Sequence, residues 1–74
     1  MELKTLSNVI QELDDAVILY KTNPSQQSFE ILKKKEQQGS AWLSHVVTGK
    51  DYDLLLTHWK PANKLLLSIL QLYQ

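Results

Sequence analysis

The sequence contains no cysteine and no arginine, and each absence excludes a class of function. Without cysteine the chain has no disulfide, no thiolate metal ligand and no cysteine nucleophile. Without arginine it lacks the side chain best suited to bidentate recognition of phosphate, carboxylate or guanine. Eight lysines balance eight acidic residues, so no overall field draws the chain to nucleic acid or to a membrane.

Long apolar runs are also missing, and none approaches the roughly 20 residues of a membrane-spanning helix. The charged start of the chain has no apolar core of a secretory signal, so we expect a cytoplasmic protein. Glycine and proline occur only twice each, whereas leucine, lysine, glutamine and glutamate are abundant, which favours helices. A length of 74 residues predicts a single helical domain, 1–74, with one core.

Apolar residues of the first segment recur at alternating spacings of three and four positions, as on one face of an amphipathic helix. The row stops before Asn23 and Pro24, because the residue preceding a proline is disfavoured in helical conformation. A first helix is therefore predicted at about 2–22. Its core-facing row consists of Leu3, Leu6, Ile10, Leu13, Val17 and Tyr20.

The next residues carry the start signals of a second helix, predicted at about 24–48. Asn23 is the predicted N-cap and Pro24 the first helical residue, where its missing N–H costs nothing. Gln26 stands where a capping-box residue would. The predicted second helix therefore follows the first after a very short connection.

Two residues inside the predicted helices are able to interrupt them. Gly39 permits either one continuous helix or an end near Gln38 with a new helix from Ser40. We favour the continuous helix, because the apolar row keeps its phase across Gly39. Pro61 removes the hydrogen bond to the carbonyl of Thr57, so a kink or a brief break is expected there.

The third helix is predicted at about 51–73, with Gly49 as the C′ residue of the second helix and Asp51 as the next N-cap. Short connections near 22–24 and 49–51 favour antiparallel neighbours. The predicted fold is therefore an all-α, up-down-up three-helix bundle.

The third segment is too apolar for a helix that covers only one face of a core. A bundle this small does not surround one of its own helices, so some of these leucines are expected to be exposed or covered by another chain. A partner protein or a second copy is therefore predicted, and the chain is expected to form a homo- or hetero-oligomer. The predicted partner-binding residues are Leu54, Leu56, Trp59, Leu65, Leu67, Leu70 and Leu72.

Enzymatic chemistry is not expected. His45 and His58 do not stand four positions apart, and Asp51 and Asp53 fit a helix cap and a first helical turn, so no metal site is predicted. No phosphate-binding loop, dinucleotide fingerprint or nucleophile elbow is present. We therefore predict no catalytic residue, no cofactor and no small-molecule ligand. The predicted function is that of an adaptor, co-chaperone, inhibitor or immunity-type protein.

An alternative comes from residues 28–50, which resemble the helix-turn-helix domains of the lambda-repressor type. The resemblance rests on the spacing of Ser28, Leu32, Leu43, Ser44, Val46, Gly49 and Lys50. It implies a small DNA-binding regulator whose recognition helix lies in the major groove. The residues expected to contact DNA would be Lys34, Ser40, Ala41, Ser44, His45 and Lys50.

A second resemblance concerns the start of the second helix. Pro24, Gln26 and Phe29 stand at the spacing found in small helical-hairpin co-chaperones of type III secretion needle subunits. This resemblance implies an adaptor that binds another protein through a helical surface. It leaves the third helix unexplained, so it serves as an example of the adaptor class.

Overall fold

The computed structural model describes residues 5–72 of the chain. Its helices are α1 (Leu6–Thr22), α2 (Gln26–His45) and α3 (Gly49–Leu72). Each helix packs against the other two, and no strand occurs among the described residues, so the predicted all-α, up-down-up three-helix bundle is confirmed. The predicted first helical residue 2 and last helical residue 73 lie outside the described part of the chain.

The core forms where the apolar faces of the three helices meet. Because residues three, four and seven apart share a helix face, each helix contributes a row of side chains to one common interior. The buried apolar residues are Val9, Leu13, Ala16, Leu32, Val47, Leu55, Ala62, Leu66 and Ile69. Half-buried residues, Trp42, Leu43 and Trp59 among them, pack around this centre.

Gly39 lies inside α2, which is one continuous helix, so the favoured interpretation of this glycine is confirmed. A Cβ atom added at Gly39 would lie 2.9 Å from Cδ1 of Trp59 and 3.1 Å from Cδ1 of Leu13. Those two residues belong to α3 and α1. The missing side chain at Gly39 therefore leaves the space that Trp59 of α3 and Leu13 of α1 occupy against α2.

Helix α3 also continues through Pro61, so the predicted alternative of a break at this residue is wrong. Pro61 is exposed, whereas Leu55 and Ala62 are fully buried on either side of it. The core contacts before and after the proline hold both halves of α3 in the same helical phase. The apolar packing of α3 therefore outweighs the loss of one backbone hydrogen bond.

The predicted start of α2 is wrong by two residues, because the N-cap is Ser25 and not Asn23. The Ser25 hydroxyl accepts a hydrogen bond from the backbone N–H of Ser28 at 3.1 Å. The Ser28 hydroxyl in turn accepts one from the backbone N–H of Ser25 at 2.9 Å. This reciprocal pair forms the capping box in place of Gln26, and Asn23 instead ends α1 as its C-cap.

The boundary between α2 and α3 also lies earlier than predicted. Helix α2 ends at His45, with Val46 as its C-cap. Gly49 has a φ of 62°, which glycine adopts without the steric cost that a side chain brings, and it is the first residue of α3. Asp51 consequently lies in the first turn of α3 and not at its N-cap. Its negative charge in the first turn still complements the helix dipole.

Candidate partner-binding surface

Contacts with the other helices define two sides of α3. On one side Nδ1 of His58 lies 3.1 Å from Oδ1 of Asp14 in α1. On the other side Trp59 and Asn63 contact Glu36 in α2. The helical spacing of a residue of α3 from His58 or from Asn63 therefore indicates whether it lies on the side of α1 or on the side of α2.

A small polar cluster joins α2 and α3. The indole Nε1 of Trp59 donates to the backbone carbonyl of Glu36 at 3.1 Å. The side-chain amide of Asn63 donates to Oε1 of Glu36 at 3.4 Å, and the Glu36 side chain is buried. Trp59, predicted to bind a partner, is thus half-buried and bonded within the bundle.

The other six residues predicted to bind a partner fall on both sides of α3. Residues four or seven positions from Asn63 lie on the side of α2, namely Leu56, Leu67 and Leu70. Residues four, seven or fourteen positions from His58 lie on the side of α1, namely Leu54, Leu65 and Leu72. The predicted residues therefore do not form a single patch.

The leucines on the side of α2 are joined by an aromatic residue of α2 itself. Phe29 stands seven residues before Glu36, on the face of α2 that meets α3, and it lines a pocket of about 330 Å³ together with Leu70. The pocket is completed by Tyr20, Pro24, Ser25 and Gln26. We define the α2–α3 surface by Phe29, Leu56, Leu67 and Leu70.

Exposure separates the leucines of this surface from those of the core. Leu67 is 51% exposed and Leu70 is 41% exposed, whereas the neighbouring Leu66 is buried. Because Leu67 and Leu70 stand three positions apart, their side chains lie next to each other on the helix. They form a contiguous apolar area beside the pocket that Phe29 lines.

Sequence reasoning missed two aromatic residues near this surface. Phe29 is not among the predicted binding residues, because it stands three residues before Leu32 in the row of α2 that is expected to face the core. Tyr52 is exposed and stands four residues before Leu56, so it extends the apolar row towards the start of α3. Tyr52 belongs to a second row of apolar residues along α3, beside the row that enters the core. That second row is the pattern from which Tyr52 could have been predicted.

Five of the six residues predicted for DNA binding lie on α2, which has no internal turn, and Lys50 lies on α3. Residues 37–40 are helical, so the turn that separates the two helices of a helix-turn-helix motif is absent from residues 28–45. Ser40 is half-buried, and the remaining predicted residues are exposed: Lys34, Ala41, Ser44, His45 and Lys50. DNA binding itself stays a prediction.

The described residues offer no other grouping that suggests chemistry. Among residues 5–72 no three histidine or acidic side chains lie close enough together to hold a metal ion. Within the same residues no helix has the length and apolar character needed to cross a membrane. No protein-family model matches the chain, and no curated protein or solved structure shows significant similarity to it.

Proposed function

We propose that the chain is a non-enzymatic protein-interaction module that docks through the C-terminal helix, at the α2–α3 surface. The observation that carries this proposal is the exposure of Leu67 and Leu70 beside the pocket lined by Phe29. Contiguous exposed apolar area of this kind, with polar residues around it, is typical of sites where another macromolecule binds. A cytoplasmic setting fits a chain that has no cysteine to form disulfides.

Packing within the bundle does not require these leucines. The core is already closed by fully buried residues of all three helices, such as Leu13, Leu32 and Leu55. Burying a fully exposed leucine contributes about 1.5–3 kcal/mol, so completing the burial of Leu67 or Leu70, which are 51% and 41% exposed, contributes roughly half of that. Further burial of Leu67 and Leu70 against a partner would therefore contribute binding free energy that the isolated chain does not gain.

The polar groups next to the surface support binding more than catalysis. Glu36 and Asn63 bond to each other, and the indole of Trp59 bonds to the Glu36 backbone. A general acid or base needs a free position beside the substrate. Here the carboxylate is buried between two helices and serves their packing.

The test compares proteins captured by three versions of the chain. Immobilised wild type, Leu67→Asp and Val46→Asp are incubated with extract from the native source, and bound proteins are quantified by mass spectrometry. Val46 is the matched control, because it is an exposed aliphatic residue at the other end of α2 from Phe29. We expect a bound protein, or the chain itself, to be lost with Leu67→Asp and kept with Val46→Asp. Equal capture by all three versions would contradict the proposed function.

A further inference from the structure

The pocket lined by Phe29 lies where the ends of α1 and α3 meet the start of α2. Its volume is about 330 Å³. The described residues that line it are Tyr20, Pro24, Ser25, Gln26, Phe29 and Leu70. Because all three helices and the α1–α2 connection contribute to the lining, the shape of the pocket depends on the folded bundle and not on one helix.

Hydrogen bonds fix the wall of the pocket that the α1–α2 connection contributes. The Ser28 hydroxyl donates to the backbone carbonyl of Asn23 at 2.9 Å and accepts from the backbone N–H of Ser25 at 2.9 Å. Ser28 is buried, so these bonds are shielded from water. Pro24 lies between the two bonded residues, and its ring restricts the backbone further. This wall is therefore in place before anything binds, as is usual for ligand pockets.

The pocket carries no charge among the described residues that line it. Its polar side chains also have partners within the chain. The Ser25 hydroxyl accepts a hydrogen bond from the Ser28 N–H, and the Gln26 amide donates to a carboxylate of α2 at 2.8 Å. That carboxylate belongs to Glu30, which lines a separate surface pocket together with Lys33. A charged occupant would lose hydration against neutral walls, so the pocket fits an uncharged group.

The volume of the pocket determines how large that uncharged group is. An engineered cavity of about 150 Å³ in another protein holds one benzene ring. Pockets for drug-sized molecules range from about 300 to 1,000 Å³. At about 330 Å³ this pocket lies at the bottom of that range, with roughly twice the volume that holds one ring. It therefore suits one bulky side chain and the backbone that carries it, and it is small for a cofactor.

The lining favours an aromatic side chain over an aliphatic one. Tyr20 and Phe29 contribute to it from two different helices, and Pro24 and Leu70 complete its apolar part. Aromatic rings that pack edge to face or offset gain free energy beyond the area they bury. Tryptophan and tyrosine are accordingly frequent among the residues that fill pockets at protein interfaces and dominate the binding free energy there.

We propose that this pocket is the anchor site of the α2–α3 surface and that it takes one uncharged aromatic side chain of the partner protein. This inference rests on the proposed function, and it adds the chemistry of the partner. The ring packs against Tyr20 and Phe29, while neighbouring apolar residues of the partner cover Leu67. Leu70 belongs both to the pocket and to the exposed leucine pair, so the anchor site and the rest of the surface are continuous.

Binding of single capped amino acids to the whole chain tests this chemistry. The probes are the N-acetyl amides of tryptophan, leucine and glutamate. Each is titrated to tens of millimolar into isotope-labelled protein, and NMR spectra report which backbone amides shift. We expect the tryptophan probe to shift the amides of Ser25, Phe29 and Leu70 with a roughly millimolar Kd. The leucine probe is expected to bind about threefold more weakly or less, and the charged glutamate probe is expected not to bind.

Two variants and a control separate the pocket from the rest of the surface. Leu70→Trp fills the pocket from its own helix, and we expect it to weaken binding of the tryptophan probe at least about tenfold. Leu54→Trp is the matched control, because Leu54 is 49% exposed on the opposite side of α3, and it is expected to bind like wild type. Phe29→Leu is expected to lower the affinity of the tryptophan probe to that of the leucine probe. Circular dichroism confirms that each variant folds.

Three results would overturn the inference. In the first, the tryptophan probe shifts no amide around the pocket at its highest concentration. In the second, the leucine or the glutamate probe binds as tightly as the tryptophan probe. In the third, Leu70→Trp and Phe29→Leu both leave binding of the tryptophan probe unchanged.

The capture experiment distinguishes failure of this inference from failure of the proposed function. If capture of a protein is lost with Leu67→Asp but kept with Leu70→Trp, the proposed function survives and the aromatic anchor is wrong. If capture does not depend on Leu67, the proposed function itself fails, whatever the probes show.

Discussion

Replacing Gly39 with alanine is expected to destabilise the bundle, although the same change at an ordinary position within a helix stabilises it. The added Cβ would lie 2.9 Å from Cδ1 of Trp59 and 3.1 Å from Cδ1 of Leu13. Leu13 is fully buried and surrounded by other core residues, so it has little space to move. The Trp59 ring is held by the hydrogen bond from its Nε1 to the Glu36 carbonyl.

The magnitude follows from three opposing contributions. Alanine gains about 1 kcal/mol of helix propensity over glycine. Forcing an extra carbon into a packed site costs about 1–3 kcal/mol, and displacing the indole costs about 1 kcal/mol more if its hydrogen bond is lost. The expected result for Gly39→Ala is a net loss of about 1–3 kcal/mol, and a domain of this size loses about 4–8 °C in Tm for each kcal/mol.

Urea and thermal unfolding followed by far-ultraviolet circular dichroism measure this loss. The control is Ala41→Gly, at an exposed position two residues further along α2. It reports the propensity difference alone, and we expect it to cost about 1 kcal/mol. If Gly39→Ala were as stable as wild type or more stable, the close approach of the three helices at Gly39 would be refuted.

Three further predictions concern the polar cluster, the cap of α2 and DNA. Asn63→Asp replaces the amide donor beside buried Glu36 with a second carboxylate, so we expect a loss of about 1–3 kcal/mol at neutral pH in urea titrations; unchanged stability would contradict the contact. Ser25→Ala is expected to lower the unfolding free energy by about 1 kcal/mol and Asn23→Ala by less, and the reverse order would restore Asn23 as the N-cap. In gel-shift assays at about 50 mM salt we expect no binding to duplex DNA, and a shift that weakens when Lys34 is neutralised would revive the alternative function.

The helices and their faces were predictable because periodicity is a property that many residues share. The apolar rows kept one phase through Gly39 and Pro61, and α2 and α3 are continuous at those positions. At Gly39 the phase was the deciding observation. At Pro61 the phase predicts that both halves of α3 face the same core, whereas the local preference of proline predicts a kink or a brief break; packing on both sides of this residue keeps the helix continuous.

The caps were less predictable, because a cap depends on one or two hydrogen bonds among several equivalent donors and acceptors. Asn23, Ser25 and Ser28 are all suitable capping residues. The reciprocal bonds between Ser25 and Ser28 decide which of them begins α2. With Asn23 as the N-cap, the third helical residue would be Gln26, and glutamine is a more usual capping-box partner than serine. The sequence therefore favours Asn23 over Ser25, whose third helical residue is Ser28.

The surplus of leucines in α3 was predictable, but their distribution was not. The third segment contains more apolar residues than one core-facing side of α3 is able to bury. Whether a given leucine lies towards α1 or α2 depends on how α3 is rotated, and contacts of His58 and Asn63 with the other helices define that rotation. Phe29 joined the surface for the same reason, since its partner Leu70 lies on a different helix.

The bonds of Glu36 with Trp59 and Asn63 also determine the register of α3 against α2. Sliding α3 along α2 by one helical turn, about 5.4 Å, would leave a buried carboxylate without its donor. A bundle whose remaining contacts are largely apolar would otherwise tolerate such a shift. The polar cluster therefore selects one register, which fixes Leu67 and Leu70 on α3 relative to Phe29 on α2. A partner at the proposed surface would then lose little binding free energy to ordering the site, which is the advantage of a preorganised surface over a flexible one.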